Sequence, residues 1–543
     1  MCAWLVSREY AGLAGAGGVK DVCRQLAECL AAHAGARVRV VLPRYGFMDP
    51  EGLGFQPLAL PDGIPDPGGQ RLRPASGQDC FEIDMDYALR ERREVVSFWQ
   101  RHENGVTLLL VEAGRFREKL GVYTYTAEEE KQHDWQHRGS GHFDYFAMNI
   151  LLQKAALDLM IRLDERPDVI HAQDGHAATL AAMARENPGW RQYFRHSGLV
   201  VTIHNAGRGY HQEVADLAFA RAVTGLPMRL IQGSLLDGAF DPFLAASRYA
   251  VLNTVSENYA RELQETDDDS RTGWLGHALR TRGVLLAGIT NGIVPEDYDP
   301  QRPEPLGLAA AFDPRHGDLA GKARCKEALL ATLVPDAQHE RVRQHGHYAL
   351  PAGAPLCTFI GRLTSQKGVD VLLSALPLVL EHNPDTGFLL LGSGDKAYED
   401  ELARLTALPA LAGRLCFLAG YDERLALQVY AAGDFFLVPS LYEPCGLTDF
   451  IAQLLGNLPV VRHVGGLVKV HDGVNGFAYE EHTAAALSDT VDHALRIWRD
   501  DPATITRMRQ EAVRRIDEHH SWRQVMRSYL DLYHQARLLA GGR

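Results

Sequence analysis

In 543 residues the sequence holds only eight cysteines: Cys2, Cys23, Cys29, Cys80, Cys325, Cys357, Cys416 and Cys445. They contain no Cys-x-x-Cys pair of the kind that redox and many zinc sites use. Several sit in apolar segments, where free cysteine behaves as a small hydrophobe, and a reduced, cytoplasmic setting is expected. No apolar run is long enough to span a bilayer, so no membrane partner is expected. The first residues, Cys2-Ala3-Trp4-Leu5-Val6, read as a short strand leading to Ser7, Arg8 and Glu9, without the basic region and long apolar stretch of a signal peptide. Positive charge is also short: 56 Lys and Arg against 69 Asp and Glu leave a formal net charge of −13. That balance argues against nucleic acid as a partner and means that an anionic ligand must be drawn in by local cations. No repeat of solenoid period is present. Among 23 histidines, His133, His137 and His142 gather near Asp134. No paired ligands on a helix or opposing knuckle accompany them, so a polar surface loop is expected there and no metal.

What is present is a soluble-type composition, 46% hydrophobic and 23% charged, in a chain too long for one core. The first half alternates apolar strands with helical periodicity. Strands are expected at residues 3–6, 37–42, 168–171, 199–204 and 251–255. Between the first two, Gly17 and Gly18 form a turn before Val19, Val22, Cys23, Leu26 and Leu30 recur at helical spacing. That is a βαβ unit with glycines where a phosphate could approach the backbone. The second half repeats the pattern, with strands expected at 357–361, 387–391, 414–420, 434–438 and 459–461. Helices start near Lys367, Tyr398, Asp422 and Leu447, and others cover 483–498, 502–518 and 521–539. Residues 61–79 and 335–351 are polar, rich in Gly and Pro, and read as loops. The expected fold is α/β, with two Rossmann-like doubly wound domains facing a cleft.

The run Leu441-Tyr442-Glu443-Pro444-Cys445-Gly446-Leu447-Thr448 carries the most chemistry. It follows an apolar strand and opens a helix, so backbone N–H groups and a positive dipole end point above the sheet, a place suited to phosphate. A carboxylate there would repel phosphate, so Glu443 suits hydroxyl groups instead. Phosphate and sugar side by side describe a nucleotide-sugar site. Arg362 and Lys367, five residues apart after another strand, can converge on a diphosphate, one as a planar fork and the other as a point charge.

These strings resemble the glycogen and starch synthases, retaining glucosyltransferases of the GT-B architecture. The most specific pieces are Gly361-Arg362-Leu363-Thr364-Ser365-Gln366-Lys367-Gly368 and Glu443-Pro444-Cys445-Gly446-Leu447-Thr448. His171-Ala172-Gln173-Asp174-Gly175-His176, Thr202-Ile203-His204-Asn205, Thr290-Asn291-Gly292-Ile293 and Arg462-His463-Val464-Gly465-Gly466-Leu467 support them. The resemblance implies an N-terminal acceptor-side domain over 1–288, a nucleotide-sugar domain over 289–518, and a closing helix over 519–543 that returns to the first domain. It implies transfer of glucose from ADP-glucose to the non-reducing end of an α-1,4-glucan, with no cofactor and no metal. Arg362 and Lys367 would stabilise the departing diphosphate, Glu443 would bind the glucose hydroxyls, and His176 would line the reaction centre. Gly17, Gly18, Asn291, Tyr421, Cys445, Gly446, Leu447 and Thr448 would contact the donor, with Tyr421 against the adenine. His204 and Asn205 would face the acceptor or position the loop after them.

The sequence departs from that family in places. The family's first glycine loop carries a lysine where Gly15 stands here; Lys20 is near, but lies inside the following helix and is expected to turn away. Asp449 replaces a common Gln and is expected to weaken a phosphate site by repulsion, and Val464 stands where Thr is frequent. Two alternatives remain at this point: a related transferase with a small sugar-phosphate acceptor or another nucleotide donor, and a non-catalytic glucan-binding scaffold.

Overall fold

The computed structural model describes residues 1–61 and 78–542. Residues 62–77 of the expected 61–79 loop therefore lie outside the described residues. Chain contacts divide the molecule into two compact units. One comprises Met1–Ile289 with Trp522–Arg543, the other Thr290–Ser521. Among the described residues no helix is long and apolar enough to cross a membrane.

Among the described residues the first unit is built on a ten-stranded sheet. Its parallel part runs Ala287–Gly288, Val251–Thr254, Gly198–Ile203, Val169–Gln173, Cys2–Val6, Arg37–Pro43, Val106–Glu112. The order reverses beside Cys2–Val6, which pairs Arg37–Pro43 on one side and Val169–Gln173 on the other. In doubly wound sheets the crevice at such a reversal is where ligands bind. The expected strands leave out Val106–Glu112, the short edge Ala287–Gly288 and the whole antiparallel end of this sheet. Arg93–Glu103 pairs Val106–Glu112 through the tight turn Asn104-Gly105, whose φ values are 48° and 80°. Two successive residues with positive φ define the hairpin turn that Asn-Gly favours.

The closing helix Trp522–Gly541 packs on this first sheet. Trp522 Nε1 donates to Gln25 Oε1 at 2.6 Å, and the Tyr533 hydroxyl lies 2.9 Å from His171 Nδ1. Gly198 has no side chain to keep the helix away: a Cβ there would stand 2.9 Å from the Ala536 carbonyl carbon.

The second unit holds a seven-stranded sheet in the order Val342–Gly346, Leu415–Gly420, Gly387–Gly392, Leu356–Ile360, Phe435–Val438, Leu458–Arg462, Phe477–Tyr479. Both faces are covered. Phe435 and Leu437 belong to one apolar cluster with the helices Val369–His382 and Ala484–Asp500. Phe436 and Val438, pointing the other way, join Ala320–Leu330 and Glu423–Ala432. Alternation of this kind places a strand between two helical layers. The order reverses between Leu356–Ile360 and Phe435–Val438, so the loops after these two strands stand side by side. The expected loop at 335–351 is corrected: Val342–Gly346 is an antiparallel edge strand on Leu415–Gly420. Edge strands have one neighbour and tolerate polar residues such as Arg343, Gln344 and His345, so they carry no apolar alternation to read.

Candidate active site

In the second unit the two reversal-point loops are the two strings singled out by sequence. They are tied by backbone. The Leu441 N–H donates to the Gln366 carbonyl at 2.9 Å. Gly368 adopts φ 67°, and a Cβ there would fall inside the Pro439 carbonyl oxygen. The second glycine pair closes on the same region. Gly465, at φ 53°, leaves no room for a Cβ against the Glu443 carbonyl, and the Gly466 N–H donates to that carbonyl at 2.9 Å. These glycines are fixed by close approach of backbones, which only a residue without Cβ permits.

The tie brings Lys367 and Glu443 together: Nζ lies 2.6 Å from Oε2. The Ser440 hydroxyl donates to the same oxygen at 2.9 Å. Glu443 is buried. Burial alone would push its carboxyl upward, but the Lys367 charge, the hydrogen bonds from Lys367 and Ser440 and the Lys469 charge together hold it below its ordinary value. The site thus presents a buried, ionised carboxylate next to a half-buried ammonium. Arg362 is exposed on the loop before them. Cys445 and Gly446 are buried, Leu447 and Thr448 half-buried, and Thr448 opens the helix Thr448–Leu454. The Asn291 backbone hydrogen-bonds the Cys445 thiol. The Asn291 side chain is buried, and its Oδ1 has no hydrogen-bond partner among the described residues. Tyr421 directly follows the strand Leu415–Gly420 with 58% of its surface exposed.

Asp449 is not an open charge beside the loop. Asp449 is completely buried, and its Oδ1 lies 3.1 Å from Lys469 Nζ. Burial pushes its carboxyl up to about 6, against the pull of the lysine. Val464 is buried in the apolar layer on one face of the sheet. Lys469 itself was missed, because one lysine three residues after Gly465-Gly466 carries no spacing signal.

In the first unit the reversal point gathers His176, Asp174, Arg8 and Glu9. His176 lies in the first turn of the helix Gly175–Glu186 and is buried. Its Nε2 accepts the Arg8 backbone N–H at 3.1 Å. The ring proton is therefore assigned to Nδ1, which makes that nitrogen a donor. Burial, the Arg8 charge and His204 hold His176 well below its ordinary pKa, so the ring is neutral. Arg8 is itself buried, with Nε on the Tyr45 hydroxyl at 3.1 Å and Nη1 on Asn149 Oδ1 at 3.2 Å. Asp174 adopts φ 62°, unusual for a residue with a side chain. Its Oδ1 accepts the His204 N–H at 3.0 Å, and burial pushes its carboxyl up to about 8. His204 is buried with Nε2 on Gln173 Oε1 at 2.8 Å, and Asn205 Oδ1 accepts the Gly207 N–H at 2.8 Å. Both side chains hold loops.

The glycine turn differs from expectation in two ways. First, Glu9 fills it: Oε2 accepts the N–H groups of Ala16 at 2.8 Å and Gly17 at 3.2 Å, while Oε1 accepts the Tyr123 hydroxyl at 2.7 Å. The Gly17 amide therefore already has a carboxylate partner, and Gly18 caps the helix Val19–Ala34. Second, Lys20 does not turn away. A Cβ added at Gly15 would overlap Lys20 Cδ and stand 2.9 Å from its Cβ. Side chains in a helix lean toward its N-terminus, so a lysine at the second helical position sweeps back over the preceding loop. Helical spacing gives the position of Lys20, and the lean of its stem brings it over Gly15. As for the histidines of the 133–142 segment, His142 is buried, while His133, Asp134 and His137 are exposed.

The Starch synthase catalytic domain family model matches residues 3–279, and the Glycosyl transferases group 1 model matches 354–496. A glycogen synthase from Anaeromyxobacter dehalogenans is 31% identical over 538 residues, covering 97% of this chain and 98% of that protein. The chain belongs to the glycogen and starch synthase family. A glycogen synthase from Streptococcus pneumoniae is 29% identical over 544 residues, at 97% and 98% coverage. Among solved structures, the catalytic domain of Starch Synthase IV from Arabidopsis thaliana, bound to ADP and acarbose, superposes with a TM-score of 0.76 at 23% identity, covering 99% of each chain. A sucrose-phosphate synthase from Thermosynechococcus elongatus shares the fold at a TM-score of 0.55 and 18% identity. As a member of the glycogen and starch synthase family, the chain is a hexosyltransferase that moves a hexosyl group from a nucleotide-sugar donor to a glucan acceptor, releasing the nucleotide, and its two α/β sheets are those of the GT-B glycosyltransferases.

Proposed function

We propose that the protein transfers glucose from ADP-glucose to the non-reducing end of an α-1,4-glucan with retention of configuration, and without a metal ion. The observation that carries this is the Lys367–Glu443 pair, 2.6 Å apart, at the reversal point of the second sheet. A carboxylate kept ionised suits two sugar hydroxyls, and an ammonium beside it suits the diphosphate those hydroxyls adjoin. Arg362, on the same loop, supplies the second cation. Two fixed positive charges stabilise a leaving diphosphate as a divalent cation would. No paired carboxylates suited to a double displacement are needed: the acceptor hydroxyl attacks on the face from which the phosphate leaves, and the departing phosphate oxygen takes its proton.

In this reading Tyr421 stacks on the adenine, and the amides of Gly446 and Leu447, the Thr448 hydroxyl and Asn291 hold the sugar and phosphates. His176 donates from Nδ1 to a hydroxyl of the glucosyl group, and His204 and Asn205 shape the acceptor side. ADP rather than UDP is favoured by the plant starch synthase that is bound to ADP. All eight cysteines are free and buried, which supports a reducing, cytoplasmic setting. The test is a panel of ADP-glucose and UDP-glucose against glycogen, maltooligosaccharides and sugar phosphates, followed by nucleotide release and by the anomeric form of the product bond. Glycogen-dependent ADP release supports the proposal. Release with sugar phosphates alone, or none with any acceptor, overturns it.

A further inference from the structure

The buried ion pair behind the Glu443 loop has no part in the chemistry described so far. Lys469 ends the short turn Gly465–Lys469, and its side chain is only 7% exposed. Its ammonium donates to the carbonyls of Cys445, Gly446 at 2.7 Å and Gly466 at 3.1 Å. It also lies 3.1 Å from Asp449 Oδ1 and 4.4 Å from the Phe450 ring centroid. Three protons thus face four oxygens and an aromatic face, in a place nearly closed to solvent.

A trans peptide points its C=O and N–H in opposite directions. With the carbonyls of residues 445 and 446 turned onto Lys469, the N–H groups of Gly446 and Leu447 must point away from it. The turn needs Gly446 at φ 74°, where a Cβ would stand 2.9 Å from Asp449 Oδ1 and 3.2 Å from Lys469 Nζ. Asp449 supplies the counter-charge without which a buried ammonium is costly, and Gln453 Nε2 holds its other oxygen at 3.3 Å. The same ammonium also helps keep Glu443 ionised.

We propose that Lys469, paired with Asp449, is a positioning residue: it clamps the carbonyls of the 443–448 loop so that Glu443 and the amides of Gly446 and Leu447 are set for the nucleotide sugar. This rests on the function proposed above. It also gives Asp449 a role opposite to the expected one, as part of the device that builds the donor site.

The experiment compares Lys469→Met, Lys469→Arg and Asp449→Asn with Glu443→Gln in the full chain, reading kcat and KM for ADP-glucose with glycogen, together with melting temperature. Folded Lys469→Met is expected to lose about 10–100-fold in kcat, the scale of one or two misplaced transition-state donors. Lys469→Arg, which keeps the charge and several donors, is expected to recover most of that loss. A lysine that merely supports the fold would change melting temperature and leave kcat alone, and that result overturns the proposal. Should Lys469→Met not fold, Asp449→Asn decides: a fall of about 3–10-fold in kcat with KM within threefold supports the clamp, and an unchanged kcat overturns it. Glu443→Gln separates the two levels. If it retains full activity, the assignment of the donor site itself is wrong; if it is impaired while folded Lys469→Met is not, only the clamp is wrong.

Discussion

Lys367 and Glu443, 76 positions apart in sequence, are one ion pair: Nζ to Oε2 is 2.6 Å, with Glu443 buried and ionised. The two groups that would serve the diphosphate and the sugar are therefore coupled before any ligand arrives. Replacing either by Ala is expected to reduce kcat by about 10²–10³-fold, the cost of removing one preorganised donor. The double variant should lose clearly less than the product of the two single losses, because each single change also leaves a charge without its partner. Losses that multiply fully would show two independent residues.

The glycine turn yields a second expectation. Lys20 already lies over Gly15, so Gly15→Lys alone must displace the resident lysine and is expected to bring no gain in donor use. Lys20→Ala should lower kcat/KM for ADP-glucose by up to about tenfold, the worth of one exposed charge-assisted contact. Combining Lys20→Ala with Gly15→Lys should restore it. A gain from Gly15→Lys alone would show that Lys20 is idle.

Acid should destabilise the fold. Burial holds His171, His204 and His520 at about 3 and His142 at about 4, and His176 is also held low. Unfolded, these rings take up protons below about pH 6.5. The folded state thus binds fewer protons than the unfolded state between about pH 6.5 and 3, and stability present above that window is lost as pH falls through it. Each histidine contributes up to about 1.4 kcal/mol per pH unit. Asp174, pushed up to about 8, and Asp449, pushed up to about 6, act in the opposite sense, as do the raised Asp158, His211 and His382, but His345 and His471 are lowered too, and the lowered histidines outnumber the opposing groups. Melting temperature should therefore drop from pH 6.5 to pH 4.5; a constant or rising value contradicts the buried neutral rings.

Gly465→Ala tests why the second glycine pair is there. Its Cβ would overlap the Glu443 carbonyl, at a φ of 53° that disfavours any side chain. Activity should fall by at least about 10²-fold through displacement of Glu443, with a loss of stability on the order of 1–3 kcal/mol. Gly473, at φ 70° with nothing within 4 Å of a Cβ, is the control and should lose stability alone.

How far the sequence was legible depends on the kind of signal. Apolar runs bounded by turns placed ten parallel strands to within one or two residues, since strands buried on both faces, such as Phe435–Val438, read as continuous hydrophobic stretches. Val106–Glu112, Ala287–Gly288 and Phe477–Tyr479 are also parallel and were not among them. The polar edge strand Val342–Gly346 has no such run, and the hairpin at Asn104-Gly105 was overlooked although its turn signal was present. The loops around Arg362 and Glu443 were legible because each carries several special residues in a fixed order. Pairings across long separations were not: nothing in the spacing of Asp449 and Lys469, or of Glu9 and Gly17, states that they meet. Those contacts follow from which loops the sheet order makes neighbours.

The most direct measurement is ADP release from ADP-glucose by the purified chain, with and without glycogen, in the presence of EDTA. Release that requires glycogen and is insensitive to the chelator is the expected result, with Arg362 and Lys367 supplying the counter-charge. Loss of all activity in EDTA that Mg²⁺ restores would contradict it.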